Sequence, residues 1–88
     1  MIVEFRSSFE RDLRNVKDAG ILNRVKNVIE SAEKAKSTYE IGHIKSLRGK
    51  SDYYRIKVGD YRIGLILDGE ILVFVRILHR KDIYRYFP

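Results

Sequence analysis

The sequence predicts an α+β fold in which an N-terminal helical hairpin packs on a small, mainly antiparallel sheet, in the order β-α-α-β-β-β. Apolar residues recur at helical spacing in the first half, whereas β-branched and aromatic residues dominate from residue 53 onward. Two turn dipeptides, Gly59-Asp60 and Asp68-Gly69, separate strand-like runs. The chain has 88 residues with no repeat or linker, so we expect a single domain over residues 1–88.

Each element has its own signal in the sequence. Ser7 and Glu10 have the spacing of a capping box at the start of the first helix, and Asp18-Ala19-Gly20 is expected to end it. The predicted elements are a strand at residues 1–6, helices at 8–18 and 21–35, a loop over 37–52 that contains a short strand near 44–47, and three main strands at 53–58, 61–67 and 71–78.

The composition excludes several classes of protein. There is no cysteine, so a disulfide framework, a thiolate zinc site and a cysteine nucleophile are excluded. The two histidines, His43 and His79, are far apart in the sequence, which argues against a histidine-rich metal site. We expect no metal and no cofactor. The longest apolar run, Ile71–Val75, is far shorter than the roughly 20 residues that span a bilayer. Without a signal-peptide pattern at the start, we expect a soluble, cytoplasmic protein with no membrane contact.

Most of the positive charge lies in the second half of the chain. Lys and Arg outnumber Asp and Glu 18 to 12, for a net charge of +6. Residues 1–40 carry eight basic and seven acidic residues (+1), and residues 41–88 carry ten basic and five acidic residues (+5). Seven of the ten aromatic residues lie in the same half. Cations interleaved with aromatics favour nucleic acid, because cations neutralise phosphates and rings stack on unpaired bases.

A two-residue loop at Gly59-Asp60 predicts which cations share a face of the sheet. It sets Lys57 opposite Arg62 and Arg55 opposite Gly64, with the neighbouring apolar pairs facing the helices. Opposed Lys57 and Arg62 would have Cβ atoms about 5 Å apart, which costs stability unless an anion lies there.

The last hairpin has two possible registers. A two-residue Asp68-Gly69 loop would leave Arg76 on the core side and would put His79 on the basic face. A longer, bulged connection would instead put Arg76 and Arg80 beside the basic cluster. The sequence leaves both open.

The basic segment has the pattern of a known family. Tyr54–Arg62, preceded by Leu47-Arg48-Gly49 and followed by His79-Arg80 and Tyr84, resembles the RelE toxins of type II toxin–antitoxin systems, within the RelE/ParE superfamily. The resemblance covers essentially the whole chain. It implies a metal-free endoribonuclease that enters the ribosomal A site, cuts mRNA and thereby inhibits translation. It also implies a cognate RelB-like antitoxin and a toxin–antitoxin hetero-oligomer.

The resemblance also implies roles for single residues. Lys57 would be the general base, Arg62 would hold the phosphate and Tyr84 would orient a base of the RNA. Arg80 would protonate the leaving oxygen, with His79 as an alternative because histidine, unlike arginine, exchanges protons readily near neutral pH. The residues expected to bind RNA are Arg55, which stands where the family's pattern has lysine, and Lys50, Arg48, Lys81 and Arg85.

Two other functions remain possible at this point. A ParE-like toxin would inhibit DNA gyrase by binding, without a nuclease site. A small RNA-binding module would use the same cations without chemistry.

Overall fold

The computed structural model describes residues 1–88 and has five strands in one sheet, flanked by helices. The elements are β1 (Ile2–Phe5), α1 (Ser7–Arg14), α2 (Ala19–Lys34), a 3-10 turn (Thr38–Glu40), β2 (Ile44–Leu47), β3 (Lys50–Val58), β4 (Tyr61–Asp68), β5 (Ile71–His79) and α3 (Ile83–Tyr86). The strand order is β1-β5-β4-β3-β2, and β1 is parallel to β5 while the other pairs are antiparallel. The predicted α+β fold is confirmed.

The first helix begins without the predicted capping box. Its N-cap is Arg6, whose side chain makes no capping hydrogen bond, and Ser7 already lies within the helix. The Arg6 N–H donates to the carbonyl of Phe74 at 3.0 Å, so the chain is still paired with β5 where the helix begins. The prediction from Ser7 and Glu10 was therefore wrong, because pairing with the sheet sets the start of α1.

Asp18 starts the second helix rather than ending the first. Its Oδ1 accepts hydrogen bonds from the N–H of Gly20 at 2.8 Å and of Ile21 at 3.2 Å, which satisfies two free donors of the first turn. Ala19 and Gly20 consequently belong to α2, and the break lies at residues 15–18. At 16 residues α2 is the longest helix, and none is long and apolar enough to cross a membrane.

The main core lies between the two longer helices and one face of the sheet. Side chains alternate along each strand, so every second residue of β3, β4 and β5 points toward the helices. The buried residues of this core are Phe9, Val16, Ile21, Val25, Ala32, Ala35, Ile41, Ile56, Val58, Ile63, Leu65, Leu72, Phe74 and Ile77. Arg55 and Lys57 of β3 and Arg62 of β4 consequently lie on the opposite face.

The strand registers of the two hairpins determine which cations lie on that opposite face. In the first, Lys57 pairs with Arg62 and Arg55 with Gly64, as predicted. In the second, the turn has two residues (69–70), and a bulge at Val75 shifts the register so that Gly64 pairs with Arg76. The bulge changes the alternation, so Arg76 leaves the core side. Arg76 and Arg80 thus lie on the face that the second alternative predicted, but the turn is not longer than two residues, because the extra residue is within β5.

A buried carboxylate joins α1 to the edge of β5. Asp12, whose side chain is 5% exposed, accepts from Arg76 Nε at 2.6 Å and Nη2 at 3.0 Å, and from the Ile77 N–H at 3.2 Å. The Ser8 hydroxyl donates to the carbonyl of Val75 at 2.6 Å, one turn earlier. Since β1 pairs only with residues 71–74, α1 takes over the remaining edge of β5.

Replacing Asp12 by alanine is expected to lower the free energy of unfolding by about 3 kcal/mol, because a partly buried guanidinium and an edge N–H lose their acceptor together. Urea denaturation followed by circular dichroism measures this. Glu10→Ala is the matched control, since Glu10 lies exposed on the same helix without an ion pair. Equal stability of the two variants would contradict the role given to Asp12.

Candidate functional site

The face of the sheet away from the main core carries the cations of the two hairpins, and we call it the outer face. Along β3 it presents Tyr53, Arg55 and Lys57, and along β4 it presents Arg62 and Gly64. The residues pair across the strands, so Lys57 lies directly opposite Arg62 and their Cβ atoms are about 5 Å apart. The predicted grouping of three cations on one face is present in the fold.

Three cations meet at one end of the sheet because β3, β4 and β5 are consecutive antiparallel strands. The end of β3, the start of β4 and the end of β5 all lie at the Gly59-Asp60 turn. Lys57, Arg62 and Arg80 therefore surround this turn, and we call them the turn cluster. Arg80 is tied there by its own backbone, since its N–H donates to the carbonyl of Asp60 at 2.7 Å.

The members of the turn cluster differ in how firmly they are held. Arg62 Nη1 donates to the carbonyls of Gly59 at 2.8 Å and Tyr61 at 2.9 Å, which fixes its guanidinium against the turn. Arg80 Nε lies 3.9 Å from Asp60 Oδ1, and both side chains are largely exposed. Lys57 is exposed and has no acidic partner. One weak ion pair thus leaves the cluster with a net positive charge.

His79 lies on the other side of the sheet from the turn cluster. It pairs with Tyr61, and its ring packs edge-on against the Tyr61 ring at 5.8 Å between centroids. Its Nδ1 accepts from the Lys81 N–H at 3.2 Å, and it lines a small pocket together with Val16 at the end of α1. The bulge at Val75 separates the two alternatives for the proton donor: it puts Arg80 at the turn cluster and leaves His79 on the helix side.

The space above Gly64 is filled by the C-terminal segment. A Cβ at Gly64 would lie 2.5 Å from Cδ2 of Phe87, so the aromatic ring rests directly on the glycine backbone. Phe87 is 3% exposed and packs against Tyr53 at 5.6 Å between ring centroids. Gly64 lies between Arg55 and Arg76 in the register, so this ring covers the middle of the outer face. Gly64, opposite Arg55, therefore leaves no open space beside the cations.

Arg76 shares the outer face but is not available to a ligand. Besides its two hydrogen bonds to Asp12, its guanidinium lies over the Tyr86 ring, 5.5 Å from the centroid. Hydrogen bonding to the Asp12 carboxylate raises the pKa of Arg76 above its ordinary value, against the opposing effect of desolvation. Arg76 therefore stabilises the fold, and its charge is not available to a ligand on the outer face.

The remaining predicted residues lie at varying distances from the turn cluster. Lys81 follows Arg80 directly, and Tyr84, 59% exposed, and Arg85 lie on α3, which packs on β4 and β5. Arg48 and Lys50 lie at the β2–β3 turn, at the opposite end of β3, roughly 20 Å from Lys57 at about 3.3 Å per residue. The fold does not bring Arg48 and Lys50 to the cluster.

Sequence patterns did not point to three residues that shape this site. Asp12 follows Phe9 by three positions, so a charged group within the apolar stripe of α1 was the available signal. Phe87 gave no periodic signal, because it follows a helix of only four residues. Arg24 of α2 has its Nη1 next to Gly59, 3.2 Å from where a Cβ would be, and only the tertiary fold shows this approach.

This arrangement suits a phosphodiester ligand. Guanidinium groups bind phosphate oxygens in a fork, and the fixed Arg62 needs little reordering to do so. An unpaired lysine beside it adds a second positive charge and a group that can take or give a proton. The cost of opposing Lys57 and Arg62 without an anion is relieved when a phosphate binds between them.

Comparisons with known proteins identify the family and agree with this fold. A family model described as the ParE toxin of the type II toxin–antitoxin system parDE matches residues 3–84. Toxin RelE3 of Methanocaldococcus jannaschii is 43% identical over 89 residues, which cover 100% of both chains.

Solved structures give the same result. A RelB–RelE antitoxin–toxin complex from Methanococcus jannaschii matches with a TM-score of 0.81 and 41% identity, over 97% of this chain and 99% of that chain. An archaeal RelE–RelB complex from Pyrococcus horikoshii OT3 matches with a TM-score of 0.72 over 90% of this chain and 93% of that chain, and at 18% identity it supports the fold alone.

Replacing Gly64 by alanine is expected to displace the Phe87 ring and to lower the free energy of unfolding by about 1–3 kcal/mol, because the added methyl overlaps the ring. Urea denaturation gives the stability, and hydrogen exchange of the Phe87 amide, which donates to Ile83, reports release of the segment. Gly42→Ala is the control, since nothing lies within 4 Å of its Cβ position. The packing is disproved if both variants behave alike.

Proposed function

Because the chain belongs to the RelE/ParE superfamily of type II toxin–antitoxin toxins and is a RelE toxin by its relatives, we propose that it is a ribosome-dependent mRNA endoribonuclease. The single observation that carries the proposal is the turn cluster, in which Lys57, Arg62 and Arg80 surround one turn with only Asp60 as a nearby acid. A phosphate of mRNA in the ribosomal A site is the ligand that we assign to this cluster.

The proposed reaction is attack of an RNA 2′-OH on the adjacent phosphorus. The O2′–P bond forms and the P–O5′ bond breaks, leaving a 2′,3′-cyclic phosphate and a free 5′-OH. Lys57 in its neutral form takes the proton of the 2′-OH, and Arg62 stabilises the charge that develops on the phosphate oxygens. Arg80 protonates the leaving 5′-oxygen and regains its proton from water, and Tyr84 orients a neighbouring base. No metal or cofactor takes part.

Two features of the site support these roles. Arg62 is held by two backbone carbonyls, so its guanidinium is preorganised for the transition-state charge. Lys57 has an amine, which can act as a base, whereas the guanidinium of Arg55 does not act as one. Arg55 also lies beside the covered middle of the outer face. We therefore assign removal of the 2′-OH proton to Lys57 and stabilisation of the charge on the phosphate oxygens to Arg62.

Lys57→Arg is expected to abolish cleavage while retaining RNA contact, because guanidinium keeps the charge but does not release its proton. Loss of a general base lowers the cleavage rate by about 100-fold or more. New mRNA ends are mapped by primer extension on translating ribosomes programmed with a defined message. An mRNA with a 2′-deoxy sugar at the cleaved position is expected to stay intact even with the wild-type protein.

Lys34→Ala is the matched control, because Lys34 is exposed at the far end of α2. It is expected to cleave like the wild type. Cleavage by Lys57→Arg at the wild-type rate would disprove the assignment of the base. Absence of new ends with the wild-type protein would overturn the endoribonuclease proposal, and inhibition of DNA gyrase supercoiling in a parallel assay would favour the ParE-like alternative, which the matching family model makes the second candidate.

We also propose an antitoxin partner, as the RelB–RelE complexes of the relatives suggest. β2 is an edge strand, and on its free side no strand pairs with it, so its backbone groups can hydrogen-bond to a strand of a partner. A partner segment rich in acidic and apolar residues would complement the chain's net charge of +6. The acidic product of a short neighbouring reading frame is expected to co-purify with the protein and to stop cleavage in the primer-extension assay; failure of both would contradict this pairing.

A further inference from the structure

A polar cleft lies beside the turn cluster, between α2 and the end of β3. β2 begins at Ile44, opposite Ile56, so next to Lys57 the edge of β3 is paired only by the His43 carbonyl, which accepts from the Lys57 N–H at 3.4 Å. The space left next to Lys57 is a cleft of about 280 Å³. Its polar lining comes from Arg24, Asn27 and Ser31 of α2, and from His43 and Lys57.

The chemistry of the lining is that of an anion site. Guanidinium, amide, hydroxyl, imidazole and ammonium groups all supply N–H or O–H donors, and no carboxylate lines the cleft. All five of these side chains belong to exposed residues, and neither Arg24 nor Lys57 has an ion-pair partner. Nothing within the chain neutralises the cleft.

The cleft adjoins the turn cluster at the edge of the sheet. Lys57 belongs to both, and the Nη1 atoms of Arg24 and Arg62 both lie against Gly59. Gly59 adopts a φ of +58°, and a side chain there would approach Arg24 Nη1 to 3.2 Å, so glycine is what allows the α2 guanidinium to reach the turn. Arg24 is thus a fourth cation at this turn, contributed by the helical half of the chain.

We propose that this cleft is a second phosphate subsite, which binds the phosphate next to the scissile one in a single strand of RNA. The inference rests on the proposed function and deepens it, since a strand that crosses the turn cluster would continue into the cleft. Arg24 supplies the main charge, and Asn27, Ser31 and His43 supply hydrogen bonds. The subsite would thereby fix the direction in which RNA lies on the protein.

The test uses a fluorescent hexaribonucleotide with 2′-O-methyl groups on every ribose, so that it binds without being cut. Arg24→Gln removes the charge and keeps most of the side chain. Binding is measured by anisotropy at several salt concentrations. Losing one phosphate contact on a single strand lowers the slope of log K against log salt by about 0.7, which corresponds to about fourfold weaker binding at 0.15 M salt. Lys26→Gln, on an exposed position of α2 outside the cleft, is expected to change neither quantity.

Equal slopes and affinities for Arg24→Gln and Lys26→Gln would overturn the subsite, and so would absence of any binding by the wild-type protein. The two assays together distinguish failure of the subsite from failure of the proposed function. A loss of affinity in Arg24→Gln together with no cleavage by the wild-type protein on ribosomes retains the subsite and overturns the endoribonuclease. Normal cleavage together with an unchanged Arg24→Gln slope overturns the subsite alone.

Discussion

The buried carboxylate of Asp12 is the contact on which the arrangement of the sheet and helices depends. It binds the Arg76 guanidinium and the Ile77 N–H at once, so it holds α1 along the part of β5 that β1 leaves unpaired. An open edge there would expose backbone donors and acceptors to other chains. The same contact withdraws Arg76 from solvent, so one interaction covers this part of the β5 edge and removes a cation from the outer face.

The bulge at Val75 is the second constraint, because it decides which residues leave β5 on which face. Without it Arg76 would point into the main core. With it, Arg80 arrives at the Gly59-Asp60 turn and His79 stays on the helix side. The same bulge therefore determines both the position of Arg76, which pairs with Asp12, and the position of Arg80 at the candidate site.

On the outer face, the cations available to a ligand lie where the C-terminal segment leaves the sheet uncovered. Phe87 covers the middle of the outer face, and Asp12 and Tyr86 occupy Arg76. The cations at the Gly59-Asp60 turn are what remains, with Arg24 of α2 added to those of the strands. Like charges held this close cost stability in the free protein, which is typical of a site that is complete only with its anionic ligand.

The sequence by itself determined the α+β class, the bounds of most strands, and the register of the first hairpin, because these follow from local periodicity and a two-residue turn. It also singled out Lys57 and Arg62 as a facing pair. The tertiary structure alone decided the start of α1, the placement of Arg80 and His79 on different sides of the sheet, and the covering of Gly64 by Phe87. Each of these depends on contacts between residues distant in sequence, such as Arg6 with Phe74, and no local pattern encodes such contacts.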